Sequence, residues 1–258
     1  PPGNMPGTRS QKITKLLQEG LTLHRQGNLG GAKQIYEKIL KKQRNHFNAL
    51  HLLGIIYMQG EQNEESVKFF DKALQISKTN AEVFNNRGVA LQKLRRFDDA
   101  LRSYDEALRI KPDYLKALNN RGATLHELKR FDDALTTYDE VLQIKPDFAE
   151  VLYNRGNVLQ ELKRFDDALA SYDEALNIEP NYTEATWNKS LLLILTGNYL
   201  NGWMLYEARL EKEDMKTNYS TYPQLAWRGQ EDIQGKKILI HSEQGLGDSI
   251  QFIRYLDQ

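Results

Sequence analysis

Apolar residues between positions 81 and 114 fall into two sets spaced by threes and fours. Val83, Phe84, Val89, Ala90, Leu91 and Leu94 make the first set, and Phe97, Ala100, Leu101, Tyr104, Ala107, Leu108 and Ile110 the second. Each set occupies one face of a structure with a 3.6-residue period, so the segment predicts two amphipathic helices, A and B. The turn between them is marked by charge. Lys93, Arg95 and Arg96 close helix A, and Asp98 and Asp99 open helix B; each sign sits at the dipole end where it contributes about 0.3–1 kcal/mol. Pro112 cannot continue helix B and directs the chain into the next segment.

That next segment repeats the pattern. RRFDDALRSYDEALRIKPDY at 95–114 returns as KRFDDALTTYDEVLQIKPDF and as KRFDDALASYDEALNIEPNY, and Gly88, Gly122 and Gly156 mark an interval of 34 residues. A fixed period of this length is the mark of stacked helix-turn-helix units, each unable to bury its apolar face alone. A glycine inside helix A costs about 1 kcal/mol relative to alanine, so its recurrence needs a compensating contact. The expected contact is close approach of helix B through Ala100 and Tyr104, with Ala107 leaving room for the next unit.

Glycine, alanine, aromatic, alanine and proline at these offsets resemble the tetratricopeptide repeat family. The resemblance implies an all-α, right-handed superhelical solenoid of about six repeats, whose A helices line a concave groove for proteins or extended peptides. Counting by 34 places the repeats at 13–46, 47–80, 81–114, 115–148, 149–182 and 183–216. The second keeps Gly54, Phe70 and Ala73 but carries Ser66 and Lys78 at the small and proline positions; the first keeps Gly20, Ala32 and Tyr36. The sixth keeps Trp187, Tyr199 and Tyr206 but has Ser190, Gly202 and Arg209 at the other signature positions, and reads as a degenerate unit closing the array. Residues 1–12 read as a tag or disordered lead-in.

Composition narrows the partners. Lys plus Arg and Asp plus Glu balance at 35 each, so no global field attracts nucleic acid. No run approaches the roughly 20 apolar residues of a membrane span. With no cysteine there are no disulfides or thiolate metal sites, which fits a cytoplasmic location. Neither a metal nor a cofactor is expected.

The groove positions carry the binding chemistry. Asn86, Asn120, Asn154 and Asn188 fall at one position of consecutive repeats, with Gln18 and Leu52 in the first two. An amide offers a donor and an acceptor, so such a row can hold a peptide backbone largely irrespective of sequence. The array is similar to that of O-linked N-acetylglucosamine transferases, where a matching asparagine row contacts the bound polypeptide. Removing these amides is expected to weaken binding with little effect on stability. Arg87, Arg121, Arg155 and Lys189 sit one residue further on. They make either an electropositive stripe for acidic peptides or structural pairs with acids such as Asp105, Asp139 or Asp173. Tyr153, His126, Gln92, Gln160 and Trp187 are neighbouring groove residues. No catalytic constellation recurs in the array.

After Lys216 the rhythm stops. Residues 217–234 read as a linker containing Trp227, and 235–258 as a first βα unit, with a strand at Lys237–His241, a turn at Gly245 and Gly247, and a helix from Asp248. Glycines before a helix N-terminus suit a phosphate or other anion, but Ile250 stands where a dinucleotide fingerprint needs a third glycine. HSEQGLGDSIQFIRYL resembles the opening of GT-B glycosyltransferase domains. In the related heptosyltransferases this resemblance implies Asp248 as the base that deprotonates the acceptor; an ordinary helix cap is the plainer reading. A sugar-nucleotide site would lie beyond Gln258, so these 258 residues are not expected to be an enzyme. The apolar residues of 235–258 need a partner surface, either the last repeat or another copy, and self-association through this fragment or the convex face is the corresponding oligomeric alternative. The expected role is a protein-binding scaffold, the recruiting arm of a bacterial glycosyltransferase; the alternative is a stand-alone adaptor or self-assembly module.

Overall fold

The computed structural model describes residues 6–206, with side chains from Ser10 onward. Every element there is an α-helix: α1 (Pro6–Arg25), α2 (Leu29–Lys42), α3 (Phe47–Gln59), α4 (Asn63–Ile76), α5 (Ala81–Lys93), α6 (Phe97–Ile110), α7 (Leu115–Glu127), α8 (Phe131–Ile144), α9 (Ala149–Glu161), α10 (Phe165–Ile178), α11 (Thr183–Leu195) and α12 (Tyr199–Tyr206). Odd-numbered helices are A and even-numbered are B. Each A packs on its own B, and α3, α5, α7 and α9 also pack on the preceding B. The chain divides into two compact units, Pro1–Asn181 and Tyr182–Gln258. The first holds α1–α10; the described part of the second is the α11–α12 pair.

Helix α1 begins at Pro6, inside the segment read as lead-in. Proline is well placed at a first helical position, where its missing N–H has no intrahelical partner, and Ile13, further along the helix, is buried. The linker 217–234, the strand and turn with Gly245 and Gly247, Asp248, Trp227 and Arg209 lie outside the described residues.

Within the first unit every repeat is built around one contact. A Cβ placed on Gly20, Gly54, Gly88, Gly122 or Gly156 would lie 2.5–2.6 Å from a ring carbon of Tyr36, Phe70, Tyr104, Tyr138 or Tyr172. All five rings are essentially fully buried. Where the second repeat replaces alanine with Ser66, the hydroxyl donates at 2.8 Å to the Gly54 carbonyl, so the polar atom is satisfied inside the interface. In the sixth repeat the small residue changes sides: a Cβ on Gly202 would meet Ile194 Cγ1 at 2.6 Å, while Ser190 turns its hydroxyl back to the Trp187 carbonyl.

The A–B turns share one backbone solution. The residue after the helix cap adopts a left-handed conformation, with φ of 58–59° at Glu61, Arg95, Lys129 and Lys163, and glycine serves at 27 and 197. Paired bonds, Arg96 N–H to the Leu91 carbonyl and Arg95 N–H to that of Gln92, close the helix end in the Schellman manner. The non-glycine residues sustain a cost of about 1 kcal/mol each, partly offset where Arg95 lies over the Phe97 ring at 5.5 Å.

Buried clusters run through successive repeats. One joins Ile13, Tyr36, Ile39 and Leu53, the next Leu50, Phe70, Leu91 and Tyr104, and the third Leu101, Leu118, Tyr138 and Val151. Each cluster spans a repeat boundary, so the core belongs to the stack and not to single repeats. Gly122→Ala is expected to destabilise by about 1–3 kcal/mol, because the buried Tyr138 ring has no free space to retreat into. Gly30→Ala in α2, where nothing lies within 4 Å, should instead be neutral or stabilising. Thermal melts of the two variants against the parent check the contrast; equal shifts would contradict the close-contact account.

Candidate peptide-binding face

Helices α3, α5, α7 and α9 touch one another in succession, whereas successive B helices reach no comparable contact. A helices therefore line the inner side of this stack, and their seam is polar. Asn86 Nδ2 donates to His51 Nε2 at 3.2 Å, Asn120 Nδ2 to Asn85 Oδ1 at 3.0 Å, and Asn154 Nδ2 to Asn119 Oδ1 at 3.3 Å. Each bond joins one repeat to the preceding one across 35 residues. Asn119 in turn donates to Glu150 at 2.9 Å, and a further bond of the same spacing links His24 to Gln59 at 3.2 Å.

The row is not uniform. Asn86 Oδ1 accepts from Asn85 Nδ2 at 3.3 Å, so both ends of that amide are engaged. Among the described residues nothing donates to Oδ1 of Asn120 or Asn154, and both side chains are half-buried. Their amides are held by one end and present the other. Asn188 is also half-buried and belongs to the second unit.

His51 is only 9 % exposed and lies between the rings of Phe47 and Phe70. Burial depresses its pKa, with the Glu82 charge opposing, and the neutral ring is the form that accepts from Asn86 at Nε2. His46, the N-cap of α3, is depressed for the same reason, and its Nδ1 accepts from the Ala49 N–H.

The arginine row is structural. Arg87 Nε donates to Asp71 at 2.6 Å and its Nη1 to Ser103 Oγ at 2.7 Å. Arg121 repeats this with Asp105 at 2.8 Å and Thr137 at 2.6 Å, and Arg155 with Asp139 at 2.7 Å and Ser171 at 2.7 Å. Each guanidinium on helix A thus ties the preceding repeat's helix B to its own helix B. With these side chains about three-quarters buried and their charge matched, they are not an exposed stripe for acidic ligands.

Three family models, each described as tetratricopeptide repeat, match residues 45–113, 85–149 and 149–182. The chain belongs to the tetratricopeptide repeat family. Similar solved structures agree in fold: MamA (TM-score 0.61, 23 % identity, covering 67 % of this chain and 94 % of that one) and YrrB, described as a TPR protein with an unusual peptide-binding site (0.61, 24 %, 70 % and 97 %). PilF of Pseudomonas aeruginosa aligns at a TM-score of 0.68 with 19 % identity over 83 % of this chain and 95 % of its own. Protein FlbA of Caulobacter vibrioides is 34 % identical over 67 residues, which is 26 % of this chain and only 11 % of FlbA. The matched families are those of a repeat scaffold, with no enzyme family among them.

Other groove residues of this tetratricopeptide array are already engaged. Gln92 accepts from the Tyr104 hydroxyl at 3.1 Å, and Gln160 and Asn157 accept from Tyr172 at 3.2 and 2.8 Å. These amides satisfy the hydroxyls of the buried Tyr104 and Tyr172 rings. His126 stands against Phe131 (5.7 Å between centroids) and Tyr153 against Tyr172 (6.1 Å), both half-buried on the A face. Trp187, in the second unit, packs on Tyr206 at 4.9 Å. Sequence reasoning missed His51, Asn85, Asn119 and Glu150; for Asn85 and Asn119 the signal available was a polar residue immediately before the asparagine position. Among the described residues no group of three His, Asp or Glu side chains could hold a metal, and no helix is long and apolar enough to cross a membrane.

Arg121→Met should cost about 1–3 kcal/mol by removing both fork contacts, and Arg121→Lys should recover only part, since an ammonium cannot reproduce the fork; denaturant melts measure both. Acid provides a second test. Both depressed histidines are neutral when folded, whereas the unfolded chain takes up protons near pH 6.5, so their contribution is full above about pH 6.5 and falls as pH drops below it. Melting temperature should therefore decline from about pH 7.5 to about pH 5.5, and His51→Gln should flatten that decline; an unchanged slope would remove His51 from it.

Proposed function

We propose that the A-helix face of this scaffold binds an extended polypeptide through its backbone, with Asn120 and Asn154 as the principal contacts. The observation that carries this reading is the half-engaged amide: each is oriented by its seam bond and offers Oδ1 to a peptide N–H. Pre-orientation lowers the ordering cost of binding. His126 and Tyr153 supply selectivity beside the row, Asn188 holds the matching position of the sixth repeat, and Asn86 serves mainly to hold the seam. The peptide-binding site of YrrB supports a peptide ligand for this fold.

The wider role in this proposal is recruitment in the cytoplasm. Residues 235–258 resemble the opening of a GT-B domain, with Gly245 and Gly247 at the phosphate turn and Asp248 as the base, which would make the array the substrate arm of a sugar-transferring protein. Support for that part comes from sequence resemblance alone.

The seam bonds alter the expected behaviour of alanine variants. Asn120→Ala removes the partner of Asn85 Oδ1, and Asn85 is only 4 % exposed, so a stability cost of about 1 kcal/mol accompanies any loss of binding. Asn120→Ala combined with Asn154→Ala, checked by circular dichroism for intact helix, should bind a panel of unrelated fluorescein-labelled extended peptides roughly tenfold or more weakly. Affinity equal to the parent would remove the ladder from the proposal.

A further inference from the structure

Six large apolar side chains crowd the surface of the sixth repeat. Leu191, Leu195, Tyr199, Leu200, Trp203 and Met204 are 40–76 % exposed. The 34-residue register shows how unusual they are. Leu195 stands where the three preceding repeats carry exposed Glu161, Glu127 and Lys93, and Leu200 where they carry Asp166, Asp132 and Asp98. Trp203 takes the position of Leu101, which is buried in a cluster with Leu118 and Leu125 of the repeat after it.

Two needs are therefore unmet at once. Trp203 occupies a position that a following element normally covers, and Leu195 and Leu200 add apolar surface that another repeat of this type would leave in water. A terminal repeat that closes an array presents a polar outer face; this one presents a patch of the kind that marks an interface.

We propose that this face is covered by residues 238–256 of the same chain. After Lys216 the repeat rhythm does not return, and the densest apolar groups beyond it are Ile238, Leu239 and Ile240 and Ile250, Phe252, Ile253 and Leu256. A short apolar stretch of this size cannot bury itself. The roughly 30 residues between Tyr206 and Ile238 give ample reach for a return to α12. Tethering supplies an effective concentration on the order of millimolar, so the attached segment outcompetes a second copy present at micromolar levels.

The absence of cysteine makes the test clean. Single variants Leu200→Cys, Met204→Cys and, as the exposed reference one repeat earlier, Asp166→Cys are treated with a thiol reagent in the full chain. Leu200→Cys and Met204→Cys should react at least ~10-fold more slowly than Asp166→Cys, at a rate independent of protein concentration, and Ile240→Glu with Ile253→Glu should restore fast labelling without loss of helix. Equal rates at all three sites overturn the proposal. Protection that disappears on dilution assigns the face to a second copy, and protection that survives the two glutamates assigns it to another partner; either result also overturns it.

Discussion

Helices A and B of each repeat in the first unit can lie as close as they do only because a glycine faces a buried ring. At five consecutive repeats the ring would collide with any side chain larger than hydrogen, and this single contact sets the interhelical distance on which the rest of the unit is built. Glycine in the middle of a helix is intrinsically unfavourable, and burial of the whole ring offsets it. Once that distance is set, the small residues Ala32, Ser66, Ala100, Ala134 and Ala168 have no room to be larger, and all are fully buried. Two of the ring tips are satisfied locally, the Tyr104 and Tyr172 hydroxyls donating to Gln92 and Gln160, whereas the buried Tyr36 hydroxyl has no partner among the described residues.

Between repeats the organisation is polar as well as apolar. An arginine fork on one side and an amide seam on the other recur at the same period, so successive repeats are held at two separated lines. Half-exposed ion pairs alone contribute little. Their value here lies in geometry, because a planar guanidinium bonded to two different helices fixes rotation between neighbours. The same seam orients Asn120 and Asn154, so the structural bonds and the proposed binding surface share side chains. A peptide on this face would meet amides already pointed.

Much of the architecture was legible from pattern. Helix pairs, the turn, the glycine–aromatic contact and the proline exit all depend on offsets within one repeat, and three near-identical copies leave little ambiguity. The conformation of the turn was not legible, since Arg95, Lys129 and Lys163 give no hint of a left-handed backbone that glycine would adopt more easily. Both roles of the arginine row were open on sequence, because a guanidinium on a helix surface serves either one. The asparagine row was visible, but its division into an engaged Asn86 and half-engaged Asn120 and Asn154 was not, since the partners His51, Asn85 and Asn119 lie 35 residues away.

The sequence by itself determined the fold class, the repeat length and the family, because these depend on contacts inside a repeat whose spacing is set by helix geometry. Only the tertiary structure decided which polar groups are spent on the protein and which face outward. That outcome depends on the rotation between neighbouring repeats, which brings together residues 16 or 35 positions apart and is set by the packing of whole side chains rather than by any local pattern.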